Sequence, residues 1–378
     1  MRIVINSAHQ RFGGCIQVVL SFINECRNFP QHEYYIWAGD GLSKLVDPAD
    51  FPENFHFQFF SFGPITIWKT FSINRLLKLE EQRVKPDVII ATGGPTYFRS
   101  VAPQVIGYNL PLYIYEESPF VQQLSLYRQV RRLIKKQFHF YFFKRDASYF
   151  VVQTDDVNQR IRKALKTDKV QTVSNTASSY YREKKSYPAK LPRKEDGVFR
   201  FVTISSYYPH KNLELIPQVL KELNRRGIKV EFVLTLKPAD FEKHIGTQPG
   251  IHNVGPVKPE ECPSLYRECD GMFLPTLAEC FSASYPEAMI MEKPIVTTDL
   301  GFARSICGEA ASFFKPKNAK SAADQIEQLT YNKTLRQALI RNGQMRLTSF
   351  HNPQERAAAY LARCEMLALQ ESPLNAQT

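Results

Sequence analysis

Two carboxylates, Glu279 and Glu287, stand eight positions apart in the stretch LAECFSASYPEAMIM, and Lys211 lies well upstream, just after the apolar run FRFVTIS. An acid, a run of small residues and a second acid could together hold a polyol that carries an anion. Phe281, Ser282, Ala283 and Ser284 would offer backbone N–H groups at a helix start, with Pro286 near the first turn, where its missing N–H costs nothing. Open N–H groups at the positive end of a helix attract phosphate. Glu287, about one turn further in, could accept hydrogen bonds from a sugar diol, and Glu279 lies just past the strand-like GMFLPTL. A sugar joined to a nucleoside diphosphate would satisfy all three. The plain alternative is a pair of solvated or capping glutamates and a solvated lysine, and spacing alone leaves it open.

These residues need elements to hold them. Apolar runs suited to buried parallel strands alternate with stretches whose apolar residues recur at helical spacing. RIVIN leads through a turn at Gly13 and Gly14 into the helical CIQVVLSFINECRN. PDVIIATGG, APQVIGYN, SYFVVQT and KVQTVSN read as strands. QVRRLIKKQFHFYFF and DDVNQRIRKAL read as helices, the second capped by Asp155 or Asp156. YYREKKSYPAKLPRKEDG is charged, proline-broken and non-periodic, as a linker or long surface loop would be. Alternation then resumes with FRFVTIS, a helix from about Asn212, KVEFVLTL, GMFLPTL, PIVTTD and ASFFKP.

The expected fold class is therefore α/β, with two Rossmann-like doubly wound domains facing a cleft at their strand ends, where such sheets bind ligands. The boundaries are residues 1–180 for the first domain, 181–198 for the linker and 199–350 for the second domain, with a helix over 351–378 as a candidate to cross back to the first.

The composition is that of a globular protein, with 43% hydrophobic and 23% charged residues. Seven scattered cysteines form no C-x-x-C pair, so neither zinc nor a disulfide framework is indicated and a reduced, cytoplasmic compartment fits. No eighteen-residue apolar run occurs, so no membrane span is expected. The net charge of +12 calls for an anionic partner. Much of it lies in YRQVRRLIKKQFHFYFFKR, with Arg128, Arg131, Arg132, Lys135 and Lys136 beside aromatics. That stretch is either a solvated face over an aromatic core or an attachment to the anionic inner face of the plasma membrane. No nucleic-acid module is recognisable.

From Phe201 to about Leu329 the chain resembles the nucleotide-binding half of GT-B glycosyltransferases, specifically the large retaining family numbered four. ECFSASYPEAM is similar to that family's E-G-F-G-x-x-x-x-E-A-M segment, and FVTISSYYPHKNLELIPQVLKEL to its strand, basic loop and helix, with Lys211 at the phosphate-binding lysine. FGGCIQVVLSFINEC resembles the family's paired-glycine loop, which assigns Gly13 and Gly14 to the donor phosphate or the acceptor. The resemblance implies transfer of a sugar from a nucleotide-diphosphate donor to a hydroxyl acceptor without a metal or cofactor. Lys211 would neutralise the leaving diphosphate, Glu287 would hold the ribose and Glu279 would orient the sugar. A lipid-linked acceptor in surface polysaccharide assembly suits the basic helix. A non-catalytic sugar-nucleotide-binding subunit and a nucleotide-sugar epimerase are the alternatives.

Three positions depart from the pattern. Ser206 stands where many members carry an arginine facing the diphosphate, with His210 and Arg304 as the nearest substitute cations. Cys280 and Ser282 replace glycines. Asn109, which can hydrogen-bond a sugar hydroxyl but not titrate, takes the place of a histidine, and His9 in the glycine loop reads more readily as a surface residue.

Overall fold

The computed structural model describes residues 1–11 and 13–370; Phe12 of the glycine loop and residues 371–378 of the expected last helix lie outside the described residues. The chain forms two compact units, one of residues 1–114, 124–175 and 351–370, the other of 115–123 and 176–350.

In the first unit seven strands pair in parallel: β1 (Arg2–Ser7), β2 (Glu33–Ala38), β3 (Phe55–Phe59), β4 (Val88–Ala91), β5 (Gln104–Gly107), β6 (Tyr149–Val152) and β7 (Val170–Thr172). Their order, β3-β2-β1-β4-β5-β6-β7, reverses direction between β1 and β4. Ile3, Val4 and Ile5 are all fully buried, so β1 is covered on both faces and shows no polar alternation. Ile3 and Ile5 face a core shared with helix Gly14–Cys26 and helix Pro353–Gln370, and Val4 faces one shared with helices Ile67–Val84 and Leu126–Asp146. Buried Arg356 fastens the last helix by donating to Asn175 Oδ1 at 2.6 Å and Ser21 Oγ at 2.9 Å.

The second unit repeats the plan with β8 (Phe199–Thr203), β9 (Val230–Leu234), β10 (Ile251–Asn253), β11 (Gly271–Leu274), β12 (Ile295–Thr298) and β13 (Ala311–Phe314). The order β10-β9-β8-β11-β12-β13 puts its reversal between β8 and β11. Phe201, Phe232, Phe273 and Phe314 fill one face under helices Leu215–Arg225 and Ala319–Tyr331.

Several expectations are corrected. The strands β2, β3 and β10 and the helix Ile67–Val84 escaped the periodicity argument. The helix Asp155–Leu165 is capped by Thr154, whose hydroxyl accepts from Val157 N–H, with Asp155 and Asp156 inside its first turn. The helix expected from Asn212 starts at Leu215, because Asn212 takes a left-handed conformation (φ 54°). The stretch read as a linker is irregular but tied to the second unit: Tyr187 N–H donates to Ser264 Oγ, Leu191 N–H to Glu268, and Lys194 pairs with Asp270. Among the described residues no helix is long and apolar enough to cross a membrane.

Candidate functional site

Where a doubly wound sheet reverses its strand order, the loops leaving the two central strands part and leave room for a ligand. In the second unit these are the loops after β8 and β11, and they carry Lys211 and Glu279 respectively. The loops are stitched together. Leu277 N–H donates to His210 O at 2.7 Å, Thr276 Oγ1 to the same carbonyl at 3.4 Å, and Asn212 Nδ2 to Pro275 O at 3.3 Å. With the backbones held, Lys211 Nζ donates to Glu279 Oε1, which also accepts from Thr276 Oγ1 at 3.1 Å. The lysine and glutamate side chains are only 15% and 12% exposed, so the pair is largely withdrawn from water yet still reachable.

Glu287 lies in the helix Ser284–Ile290, among Tyr181, Tyr266 and Cys262. Burial pushes its carboxyl up to about 7, while a hydrogen bond from Tyr181 and the charge of Lys211 both pull downward. Lys211 therefore acts electrostatically on both acids. Tyr181 is itself buried, with its ring edge-to-face to Tyr266 at 5.9 Å.

The small residues between the acids lead into a short helix. Tyr285 N–H is spent on Ser282 O at 3.2 Å, and Ser282 is buried. The Phe281 ring packs edge-on against Phe350 at 5.8 Å, and Ala283 caps a helix of only seven residues. A helix that short has little dipole to offer, so Lys211 is the principal positive charge at this site. Neither proposed substitute for an arginine at exposed Ser206 supplies another. Burial lowers the pKa of His210, against the opposing pull of Glu279, so its ring is neutral at pH 7. Arg304 is clamped to Asp299 through Nε and Nη2, at 2.5 and 2.9 Å.

Residues 115–123 contribute a part that spacing could not reveal. Although they fall between elements of the first unit, they pack on the second, where Ser118 Oγ donates to Leu277 O at 2.7 Å and Phe120 meets the His210 ring edge-on at 6.1 Å. Tyr181, at the edge of the apparent linker, was equally invisible.

The first unit has its own parted loops, after β1 and β4. Gly13 adopts φ 91° ahead of the helix Gly14–Cys26, and a Cβ placed on Gly14 would meet nothing within 4 Å. Beside this loop Gln10 Nε2 donates to Gly93 O at 3.2 Å, and a Cβ on Gly93 would come within 2.7 Å of Asn109 Nδ2. Among the described residues, Asn6 Nδ2, Gln10 Oε1 and Thr92 Oγ1 are buried without a hydrogen-bond partner. His9 is not the surface histidine expected: its ring abuts Tyr97 at 5.9 Å and burial lowers its pKa to about 4. Gly13, Gly14 and Asn109 thus belong to the first unit, and Ser206, Lys211, Glu279, Phe281–Ser284 and Glu287 to the second. Among the described residues no group of three or more His, Cys, Asp or Glu could hold a metal ion.

A sucrose-phosphate synthase from Thermosynechococcus elongatus superimposes with a TM-score of 0.76 at 14% identity, over 98% of this chain and 100% of that one. A glycosyltransferase from Rickettsia africae gives 0.73 at 15% identity, over 98% and 99%. Anabaena HepE in complex with UDP-glucose gives 0.69 at 14% identity, over 96% and 100%. Residues 184–346 match the model of the family described as glycosyl transferases group 1. The fold is GT-B, and the segment similar to the group 1 family lies within its second unit. No curated protein sequence matches the chain. The matched segment begins inside the stretch that read as a linker and ends in the helix Lys333–Leu347 of this GT-B chain, so it takes in Lys211, Glu279 and Glu287 together.

Proposed function

We propose that the chain is a retaining glycosyltransferase that moves a sugar from a nucleoside-diphosphate donor to a hydroxyl acceptor. The observation that carries this reading is the Lys211–Glu279 pair at the strand-order reversal of the second sheet, with Glu287 as a second acid within reach of the same lysine's charge. The UDP-glucose bound by HepE supports a nucleotide sugar as donor.

In the reaction the bond between the sugar's anomeric carbon and the diphosphate oxygen breaks, and a bond to the acceptor oxygen forms. Negative charge grows on the departing diphosphate, and a fixed cation there stabilises the transition state more than the ground state. Lys211 supplies that cation, turning from Glu279 to the diphosphate when donor binds. Glu279, released from the lysine, accepts hydrogen bonds from the donor sugar, and Glu287 accepts from the ribose diol. The acceptor proton passes to the departing phosphate oxygen, so attack on the same face needs no protein nucleophile and no divalent metal. Gly13, Gly14 and Asn109 serve the acceptor, whose lipid-linked form in surface polysaccharide assembly suits the basic helix.

Purified protein incubated with a panel of nucleotide sugars tests this. One donor should raise the melting temperature and be slowly hydrolysed, and Lys211→Ala and Glu287→Ala should depress both effects while leaving the fold intact. Ser206 and Asn109 favour a second reading, a binding subunit without catalysis, which predicts the thermal shift but no hydrolysis. A new nucleotide sugar formed without acceptor would instead mark an epimerase.

A further inference from the structure

We infer that one face of the first unit docks on an anionic lipid bilayer. The helix Ile67–Val84 exposes Ile67, Trp68 and Phe71, at 62%, 82% and 68%. The helix Leu126–Asp146 exposes Leu126, Val130 and Ile134, spaced i, i+4, i+8, together with Tyr127, Leu133 and Tyr141. Both helices cover the same face of the first sheet, where Ile73, Leu77 and Phe142 enter one core. An apolar surface of this extent on the outside of two neighbouring helices calls for a partner.

Charge selects the partner. Arg128, Arg131, Lys135 and Lys144 are exposed on the longer helix and, among the described residues, have no ion pair. An apolar stripe flanked by cations is the pattern of a helix that lies in the headgroup region of an anionic membrane, not of one that closes a protein interface, whose centre is poor in charge.

Chain direction explains why the surface stays open. The longer helix ends at Asp146, just before β6 begins at Tyr149. Its 21 residues span about 30 Å, whereas the four residues of β6 span about 13 Å. The first half of the helix therefore overhangs the carboxyl edge of the sheet, with no strand beneath it to bury its apolar side chains. Helix Ile67–Val84 runs the same way, ending just before β4, so Trp68 and Phe71 also lie towards that edge. The loops with Gly13, Gly14 and Asn109 leave the sheet there too. A bilayer met by this face would present a lipid-linked hydroxyl compound to those loops. The docking itself needs no donor and stands apart from the transfer reaction.

The protein has two tryptophans, of which Trp37 is fully buried and Trp68 exposed, so Trp68 reports directly on the surface. Adding vesicles of phosphatidylcholine with phosphatidylglycerol should shift tryptophan emission to the blue and carry the protein into the pellet. Vesicles of phosphatidylcholine alone should do so far less. Trp68→Phe should pellet but lose the spectral shift. Reversing Arg128, Arg131 and Lys135 to Glu should weaken vesicle binding about fivefold or more per cation, with donor hydrolysis in solution unchanged. Indifference to anionic vesicles at low salt would overturn the inference, as would a blue shift that appears with protein concentration alone and marks a second copy on this face.

Discussion

The Tyr181 phenol favours the ionised carboxylate of Glu287, against the burial that holds this carboxyl up at about 7. Without the hydroxyl only Lys211 pulls downward, so Tyr181→Phe should raise the pKa of Glu287 further. An ionised carboxylate accepts both hydrogens of a diol, whereas a protonated one does not. Nucleotide affinity, followed by calorimetry across neutral pH, should therefore weaken on the acid side at a higher pH in the variant than in the wild type. Identical profiles would remove Glu287 from the diol.

The same carboxyl makes a stability prediction. Its pKa is higher in the folded chain than the ordinary carboxyl value of 4.5, so the folded state holds the proton more tightly. That contribution is fully present below about pH 4.5 and is lost as pH rises through about 7. Glu287→Gln, which cannot ionise, should melt at a higher temperature than wild type near pH 8, by up to roughly 3 kcal/mol in stability, and match it near pH 4. Nucleotide binding should fall in the same variant. A variant no more stable at alkaline pH would mean that Glu287 is better solvated than its surroundings suggest.

Lys211 and Glu279 should prove coupled. Removing the lysine strands a carboxylate that is only 12% exposed, which costs more than removing both charges. Lys211→Met should lower the melting temperature more than the double variant Lys211→Met/Glu279→Gln. Turnover should fall about a hundredfold or more in both. Independent, additive effects on stability would show that the pair is not held in solution.

Ser206 offers a gain-of-function test. The side chain is exposed, His210 is neutral at pH 7 and Arg304 is held by Asp299, so the loop after β8 has one working cation, Lys211. A charge-assisted hydrogen bond is worth about 1.5–3 kcal/mol. Ser206→Arg should tighten nucleoside-diphosphate binding about tenfold or more, with little change in affinity for the nucleoside. Equal tightening of both would place the new cation away from the phosphates.

How far the sequence foretold these parts depended on the kind of signal. Strands buried on both faces, such as β1 and β11, announce themselves as unbroken apolar runs, and the loops behind them follow. β3 did not, because Phe55 to Phe59 (FHFQF) is an edge strand that alternates apolar and polar residues, where only unbroken apolar runs were read as strands. Tyr181 and Ser118 were missed for a different reason. Each acts through a contact distant in the chain, to Glu287 and Leu277 respectively, and no local periodicity encodes such a contact. The shortness of the helix Ser284–Ile290 and the turn that Tyr285 N–H closes on Ser282 O were likewise not encoded by the spacing of the motif.

Gly93 provides the corresponding test in the first unit. A methyl group there would press within 2.7 Å of Asn109 Nδ2 and within 3.4 Å of Gln10 Nε2, both ends of movable side chains. Gly93→Ala should therefore cost little stability, because the amides can turn aside, but it should move Asn109 from its place. If Asn109 meets the acceptor, the variant's KM for acceptor should rise several-fold, while slow hydrolysis of the donor, which needs only the second unit, proceeds as before. Asn109→Ala should reproduce the KM effect without the steric change. A fall in donor hydrolysis with acceptor KM unchanged would instead tie Asn109 to the donor.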